Sequence, residues 1–153
     1  MTSKNVYEFY QNIANTIATK KRQLIYIPDT KKYKSFCYSI GNQEKNLPEL
    51  LIFGVKPDDA NVLVSALSDL MIENKRPFFD GEEINLGGEQ SVTMRNCTKI
   101  AHMQYTIQAG QFYGNEDYQV QQILIPDKKG RLPDHPHCHK DYKVPVLKKL
   151  EVD

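Results

Sequence analysis

A histidine-rich segment near the end of the chain, RLPDHPHCHKDY (131–142), carries the side chains that most directly suggest metal chemistry. His135, His137 and His139 are two residues apart, so in an extended segment they would share one face, with neighbours roughly 6.5–7 Å apart. Such histidines could reach one transition-metal ion if a more distant side chain completed the ligand set. Asp134, Pro136 and Lys140, which lie next to these histidines, instead favour an exposed polar loop. We therefore expect no metal and no other cofactor.

The turn PDKKGR (126–131) is the second candidate, because it combines a tight turn with cationic side chains. Gly130 tolerates a positive φ, and the planar guanidinium of Arg131 matches a carboxylate or a phosphate. Asp127 is expected to cap the turn by accepting hydrogen bonds from the backbone that follows it. Two interpretations stay open: an anion site, or a stable turn in which Arg131 is paired within the protein.

The third candidate is the stretch YSIGNQEKNLPEL (38–50), in which one predicted strand ends and another begins. If these strand ends lie against the arginine turn, then Tyr38, Glu49, Asp127 and Arg131 form one cleft. Glu49 would act there as a general base, with a pKa raised by an apolar environment. The alternative is a structural ion pair between Glu49 and Arg131, with Tyr38 packed over it.

These motifs define the side chains that we expect at a binding or catalytic site. The predicted catalytic residues are Glu49 and Asp127. The predicted ligand-binding residues are Tyr38, Ser39, Gln122, Arg131 and His135. No glycine-rich phosphate loop, zinc-protease motif or serine-hydrolase motif occurs in the sequence, so no motif indicates a reaction class.

Charge is nearly balanced over the 153 residues, with a formal net charge of +1. Residues 1–40 carry seven basic and two acidic side chains, whereas residues 41–90 carry four basic and ten acidic ones. The overall balance argues against nucleic-acid binding, and the uneven distribution could steer a charged small molecule or protein partner. Three widely spaced cysteines favour a reducing compartment. No stretch approaches the roughly 18 apolar residues of a membrane span, so we expect a cytoplasmic protein without membrane contact.

The elements that must position these residues follow from hydrophobic periodicity and from turn residues. Helices are predicted over 5–20, 57–76 and 99–113, although Met103, Tyr105 and Ile107 also alternate as in a strand. Strands are predicted over 23–27, 33–41, 49–54, 91–95 and 118–125. The first two strands should form a hairpin, and the third should be buried on both faces. The stretch 80–90 is predicted to be a loop, and 148–153 a frayed tail.

The mixture of helices and strands lacks strict alternation, which indicates an α+β fold. We expect a single domain over residues 1–153, with a mixed or mostly antiparallel sheet packed against two or three helices. The N-terminal helix should be amphipathic, because apolar residues recur on one side of it.

Four stretches, taken in order, resemble bacterial proteins grouped as domain of unknown function 4262. They are YSIGNQEKNLPELLIFG (38–54), the helix after it, QILIPDKKGRLP (122–133) and VPVL (144–147). The resemblance spans residues 36–147 and implies a related fold but no particular reaction. The family usually has a tryptophan and an acidic residue after its Gly-Arg-x-Pro motif. Asp134 and His135 stand there in this chain, which has no tryptophan.

Three functions are compatible with these observations. The first is binding, with or without hydrolysis, of a small anionic, nucleotide-like ligand in the predicted cleft of Tyr38, Glu49, Asp127 and Arg131. The second is a protein-interaction module, such as an immunity protein or an effector antagonist. The third is a metal-dependent enzyme that uses the histidine-rich segment.

Overall fold

Six strands form one mixed sheet, in the spatial order β1-β2-β3-β6-β5-β4. The computed structural model describes residues 3–88 and 91–148. The strands are β1 (Gln23–Ile27), β2 (Phe36–Ile40), β3 (Glu49–Phe53), β4 (Glu83–Ile84), β5 (Val92–Asn96) and β6 (Val120–Leu124). β3 and β6 pair in parallel, and the other neighbouring pairs are antiparallel. The predicted α+β fold with a mixed sheet is therefore confirmed.

The first two strands form the predicted hairpin, and side-chain hydrogen bonds hold the connection between them. β1 and β2 pair in antiparallel register along their whole length. The Thr30 hydroxyl accepts the backbone N–H of Tyr33 at 2.9 Å, and Asp29 accepts that of Ser35 at 2.5 Å. Short polar side chains often fix turns in this way. The lysine-bearing connection therefore has a defined shape.

Two long helices and two short ones accompany the sheet. They are α1 (Ser3–Lys20), α2 (Pro57–Asn74), α3 (Lys99–Met103) and α4 (Ile107–Tyr113). α2 begins with Pro57 at a first-turn position and has Asp58 and Asp59 beside the positive end of the helix dipole. It ends at Asn74, and the next residue, Lys75, adopts the left-handed conformation and donates its N–H to carbonyl groups of the last turn.

The sheet separates two hydrophobic cores, because side chains alternate between the faces of a strand. On one face, Leu50 and Ile52 of β3 belong to the core that includes the buried side of α2. On the other face, Leu51 and Phe53 belong to the core that includes α1 and α4. All five residues of β3 are buried, which confirms the prediction of a strand covered on both faces.

Two stretches differ from their predictions. The stretch 99–113 forms two helices instead of one, with Thr106 between them. The buried Thr106 hydroxyl donates to the carbonyl of His102 at 3.1 Å and lies 2.7 Å from the Tyr118 hydroxyl, and such side-chain bonds compete with a continuous helix. The stretch 80–90, predicted as a loop, contains the two-residue edge strand β4, which pairs with β5.

The apolar stripe of α1 is buried at Ile13 and Ile17 but exposed at Val6 and Phe9. All three cysteines are free. In the described part of the chain, none of the helices has the length and hydropathy required to cross a membrane. The predicted frayed tail lies outside the described residues from residue 149 onward.

Candidate functional site

The predicted site residues lie at opposite ends of the central parallel strand pair. Glu49 starts β3 opposite Val120, the first residue of β6, whereas Asp127 follows the end of β6. Glu49 and Asp127 are therefore about seven residues apart along the strand direction, or roughly 20 Å. The predicted cleft of Tyr38, Glu49, Asp127 and Arg131 was wrong, and so was the alternative ion pair between Glu49 and Arg131. Parallel pairing places the start of β3 and the end of β6 at opposite edges of the sheet.

At the first edge, the side chain of Glu49 is fully buried among hydrogen-bond donors. Its Oε1 accepts from the Ser39 hydroxyl at 2.8 Å and from the backbone N–H of Asn42 at 3.1 Å. Its Oε2 accepts the backbone N–H groups of Gly41 and Gln43, both at 3.1 Å. We call Glu49 and residues 39–43 the glutamate corner. The carboxylate fills a nest of backbone N–H groups that would otherwise suit an external anion.

Tyr113 of α4 closes the glutamate corner. Its hydroxyl donates to Oε2 of Glu49 at 2.5 Å and accepts the backbone N–H of Gly41 at 2.8 Å. Burial raises the pKa of Glu49, although hydrogen bonds from Tyr113, Ser39 and the backbone act in the opposite direction. Burial and the adjacent carboxylate raise the pKa of Tyr113, so its hydroxyl stays a donor. The general-base role of Glu49 stays a prediction, and the observed contacts join α4 to the β2–β3 connection.

The hydroxyl of Tyr113 should contribute measurably to stability. We expect Tyr113→Phe to lower the free energy of unfolding by about 1–3 kcal/mol, because it removes a hydrogen bond to a buried carboxylate. Urea denaturation followed by circular dichroism measures the change. Tyr7→Phe is the matched control, since Tyr7 is 69% exposed. An equal change in both variants would contradict a specific role for Tyr113.

Two predicted ligand-binding side chains of β2 also lie buried within the sheet. The Tyr38 hydroxyl donates to Oε1 of Gln108 and accepts the backbone N–H of the same residue at 3.2 Å. Burial raises the pKa of the Tyr38 hydroxyl. The Ser39 hydroxyl accepts the backbone N–H of Leu50 at 3.0 Å while it donates to Glu49. Both side chains are engaged within the protein, and their contact with a ligand stays a prediction.

At the opposite edge, the turn after β6 has the structure that its sequence predicts. Oδ1 of Asp127 accepts the backbone N–H groups of Lys129 and Arg131, both at 2.9 Å, which confirms the predicted cap. Oδ2 accepts Nε of Arg131 at 3.0 Å and the backbone N–H of His139 at 2.9 Å. Gly130 adopts a φ of 80°, as the turn requires. We call these five residues the arginine corner.

Hydrogen bonds keep Asp127 ionised and orient Arg131. Burial by itself raises the pKa of Asp127, but hydrogen bonds from the backbone and from the Arg131 guanidinium outweigh it and hold the pKa well below its usual range. The ionised carboxylate engages Arg131 through Nε alone. The terminal nitrogens of Arg131 make no hydrogen bond to any other described residue. That edge of the guanidinium is therefore able to receive an anion.

A cavity of about 620 Å³ lies beside the arginine corner. Its lining side chains come from the turn and from the segment after the histidines: Asp127, Lys128, Lys129, Arg131, His139, Asp141 and Tyr142. The volume lies within the range of small-molecule sites. Three of the lining side chains are lysine or arginine, and the Asp127 carboxylate is already occupied by its hydrogen bonds. The lining also contains the Asp141 carboxylate, so the cavity combines cationic side chains, two carboxylates and the aromatic ring of Tyr142.

Gln122, another predicted ligand-binding residue, contacts the C-terminal part of the chain. Its Nε2 donates to the carbonyl of Pro145 at 2.7 Å, and its Oε1 accepts the backbone N–H of Leu147 at 2.9 Å. We call residues 143–147 the C-terminal strap. Gln122 is buried, and its two hydrogen bonds connect the strap to β6. A ligand contact by Gln122 stays a prediction.

The histidine-rich segment is an exposed run of turns that ends in a short 3-10 helix (Lys140–Tyr142), and it lacks the extended conformation in which its histidines would share one face. Backbone hydrogen bonds of 2.9 and 3.1 Å close successive turns between residues 132 and 138. Nδ1 of His135 accepts the backbone N–H of His137, and Nδ1 of His139 accepts that of Asp141. Within residues 3–88 and 91–148, no group of three or more His, Cys, Asp or Glu side chains is arranged to hold a metal ion.

Several partners of the predicted residues were not found by sequence reasoning. From α4, Tyr113 contacts Glu49 and Gln108 contacts Tyr38, over 64 and 70 residues of sequence respectively. A glutamate at the start of a fully buried strand predicts that its carboxylate accepts hydrogen bonds within the protein. The sequence does not identify which groups donate them. The Asp134 carboxylate accepts a hydrogen bond from the buried Arg95 guanidinium, with an N–O distance of 2.5 Å.

Comparison with known proteins gives one family. The model of the family described as Domain of unknown function (DUF4262) matches residues 16–139, which is most of the chain. No curated protein and no solved structure shows significant similarity to the chain.

Proposed function

The chain belongs to the family described as Domain of unknown function (DUF4262), and we propose that it binds a small anionic, nucleotide-like ligand at the arginine corner. The family description names no reaction, so the proposal depends on the geometry of the site. The observation that carries it is Arg131, which lines a cavity of about 620 Å³ while buried Asp127 holds its Nε at 3.0 Å.

The cationic side chains of the cavity support an anionic ligand, although the Asp141 carboxylate also lines it. Lys129 and Arg131 lie on the same turn, and the planar guanidinium suits two oxygen atoms of a phosphate. The ionised Asp127 fixes the guanidinium before a ligand arrives, which reduces the entropy lost on binding. Tyr142 supplies a ring at the cavity wall, where a base could pack.

The position of the cavity in the sheet also supports a ligand site. It lies beyond the carboxyl end of β6, on the side to which the parallel pair of β3 and β6 points. Ligands of open sheets with parallel strands commonly bind at this edge. Four hydrogen bonds already occupy the Asp127 carboxylate, which favours binding of the ligand over its hydrolysis.

A thermal-shift experiment with the full chain tests this proposal. We expect ATP or ADP-ribose to raise the melting temperature by about 3–6 °C at roughly tenfold excess over Kd. Arg131→Ala should abolish the ligand-induced rise, because the fixed guanidinium is removed. Lys45→Ala should preserve it, since Lys45 is exposed and precedes β3 at the opposite edge. Unchanged melting temperatures of the wild-type chain at millimolar ligand would overturn the proposal.

The cellular setting is part of the proposal. Three free cysteines are compatible with a reducing compartment, and the motifs resemble those of bacterial proteins. We therefore propose a bacterial protein that acts in the cytoplasm.

A further inference from the structure

A second cavity, of about 300 Å³, lies between the β1–β2 connection, the α3–α4 connection and the C-terminal strap. The side chains that characterise it are Lys32, Tyr33, Lys34, Phe53, Tyr105 and Lys143. We call it the lysine pocket. It shares no lining residue with the cavity of the arginine corner, so it is a separate site.

The floor of the lysine pocket is aromatic and fixed by packing. The rings of Phe53 and Tyr105 meet edge to face, with centroids 5.0 Å apart and planes at 87°. Phe36 contacts the same Tyr105 ring, with centroids 5.3 Å apart. Phe53 is only 4% exposed, so this cluster belongs to the core of the protein. Rings held in this way offer a rigid apolar surface on which a planar ligand can pack.

The rim of the lysine pocket is cationic. Lys32 and Lys34 come from the β1–β2 connection, and Lys143 comes from the C-terminal strap on the opposite side. In the described part of the chain, none of these three lysines forms an ion pair. Lys32 lies 5.5 Å from the centroid of the Tyr33 ring. None of the described residues that line the pocket is acidic, so the lining carries positive charge and attracts anions.

Both walls of the lysine pocket are held in place by hydrogen bonds and packing. Thr30 and Asp29 fix the β1–β2 connection, and Gln122 fixes the C-terminal strap. Val144 packs against Gly54, where a Cβ would lie 3.2 Å from its Cγ1. The lysine stems therefore start from ordered backbone on both sides of the cavity. A preformed site binds with a smaller entropic cost than one that must be ordered by its ligand.

We propose that the lysine pocket binds a planar aromatic anion. The ring packs on Tyr105 and Phe53, and a phosphate or carboxylate group contacts Lys34 and Lys143. A volume of about 300 Å³ is at the lower end of ligand sites, so it suits a mononucleotide or a smaller aryl acid. The site is independent of the arginine corner and of the function proposed for that corner.

Calorimetric titration of the full chain tests this assignment with four probes: AMP, adenosine, ribose 5-phosphate and 4-hydroxybenzoate. We expect AMP to bind at least about tenfold more tightly than adenosine or ribose 5-phosphate, because only AMP joins a ring to an anion. The double variant K34Q/K143Q should weaken AMP binding about tenfold or more, since two charge-assisted contacts are lost. Tighter binding of 4-hydroxybenzoate than of AMP would identify an aryl carboxylate as the ligand class.

Control variants separate this site from the arginine corner. Lys45→Gln changes an exposed lysine at the opposite edge of the sheet and should leave AMP binding unchanged. Arg131→Ala should also leave it unchanged. The proposal is overturned if neither AMP nor 4-hydroxybenzoate binds at millimolar concentration, or if ribose 5-phosphate matches AMP. It is also overturned if K34Q/K143Q binds both aromatic acids like the wild type. Loss of AMP binding in Arg131→Ala alone would assign the nucleotide to the arginine corner instead.

Discussion

Replacing Glu49 by alanine is expected to lower the free energy of unfolding by about 3–5 kcal/mol. The carboxylate accepts hydrogen bonds from the Ser39 and Tyr113 hydroxyls and from three backbone N–H groups of residues 41–43. These donors are at a buried strand end, so the alanine variant leaves them without their acceptor. Burying polar groups without partners costs far more than the net value of the bonds themselves.

Urea denaturation of Glu49→Ala beside Glu44→Ala measures this effect. Glu44 lies five residues earlier in the same connection and is exposed, so its removal should change stability by no more than about 0.5 kcal/mol. Glu49→Gln is expected to fall between the two, because its amide keeps one acceptor oxygen but turns an NH2 group toward other donors. If Glu49→Ala and Glu44→Ala unfold at the same urea concentration, the glutamate corner does not stabilise the fold.

Replacing Gln122 by leucine should have the second-largest effect, a loss of about 2–4 kcal/mol in the free energy of unfolding. The side chain bonds the Pro145 carbonyl at 2.7 Å and the Leu147 N–H at 2.9 Å. Leucine has a similar volume, so the change removes these two bonds without leaving a large cavity. The C-terminal strap would lose its main polar connection to β6.

The effect of Gln122→Leu should extend to ligand binding. Lys143 lies on the strap, so release of the strap should weaken binding of AMP in the lysine pocket as well as lower stability. Gln119→Leu is the matched control, because Gln119 is exposed just before β6. Unfolding in urea and calorimetric titration measure the two consequences. Full stability in Gln122→Leu would show that other contacts hold the strap.

Local chemistry explains which parts of the fold and site could be predicted. The arginine corner was predictable because Asp127 caps the N–H groups of residues two and four positions later, and Gly130 permits the turn. The burial of β3 was predictable because its apolar run has no polar residue after Glu49. The break at Thr106 was not predictable from periodicity, because it depends on a contact with Tyr118.

The prediction of a single cleft was wrong because of the chain topology. Tyr38, Ser39 and Glu49 lie beside one predicted turn, and Arg131 lies in another. The two turns were therefore expected at the same edge of the sheet. Strand direction decides which edge a turn occupies, and nothing in the sequence of β6 reveals that it runs parallel to β3. The lysine pocket was missed for a related reason, since its walls come from three distant parts of the chain.

By itself, the sequence determined the α+β class, the hairpin, the buried central strand and the Asp127 turn. Each of these depends on periodicity or on contacts within a few residues, which side-chain type and spacing control directly. Only the tertiary structure decided that Glu49 is enclosed by Tyr113, that Gln122 holds the strap and that lysines from two distant segments face one aromatic floor. Those outcomes depend on strand order and direction, because pairing across the sheet brings together residues that no local pattern relates.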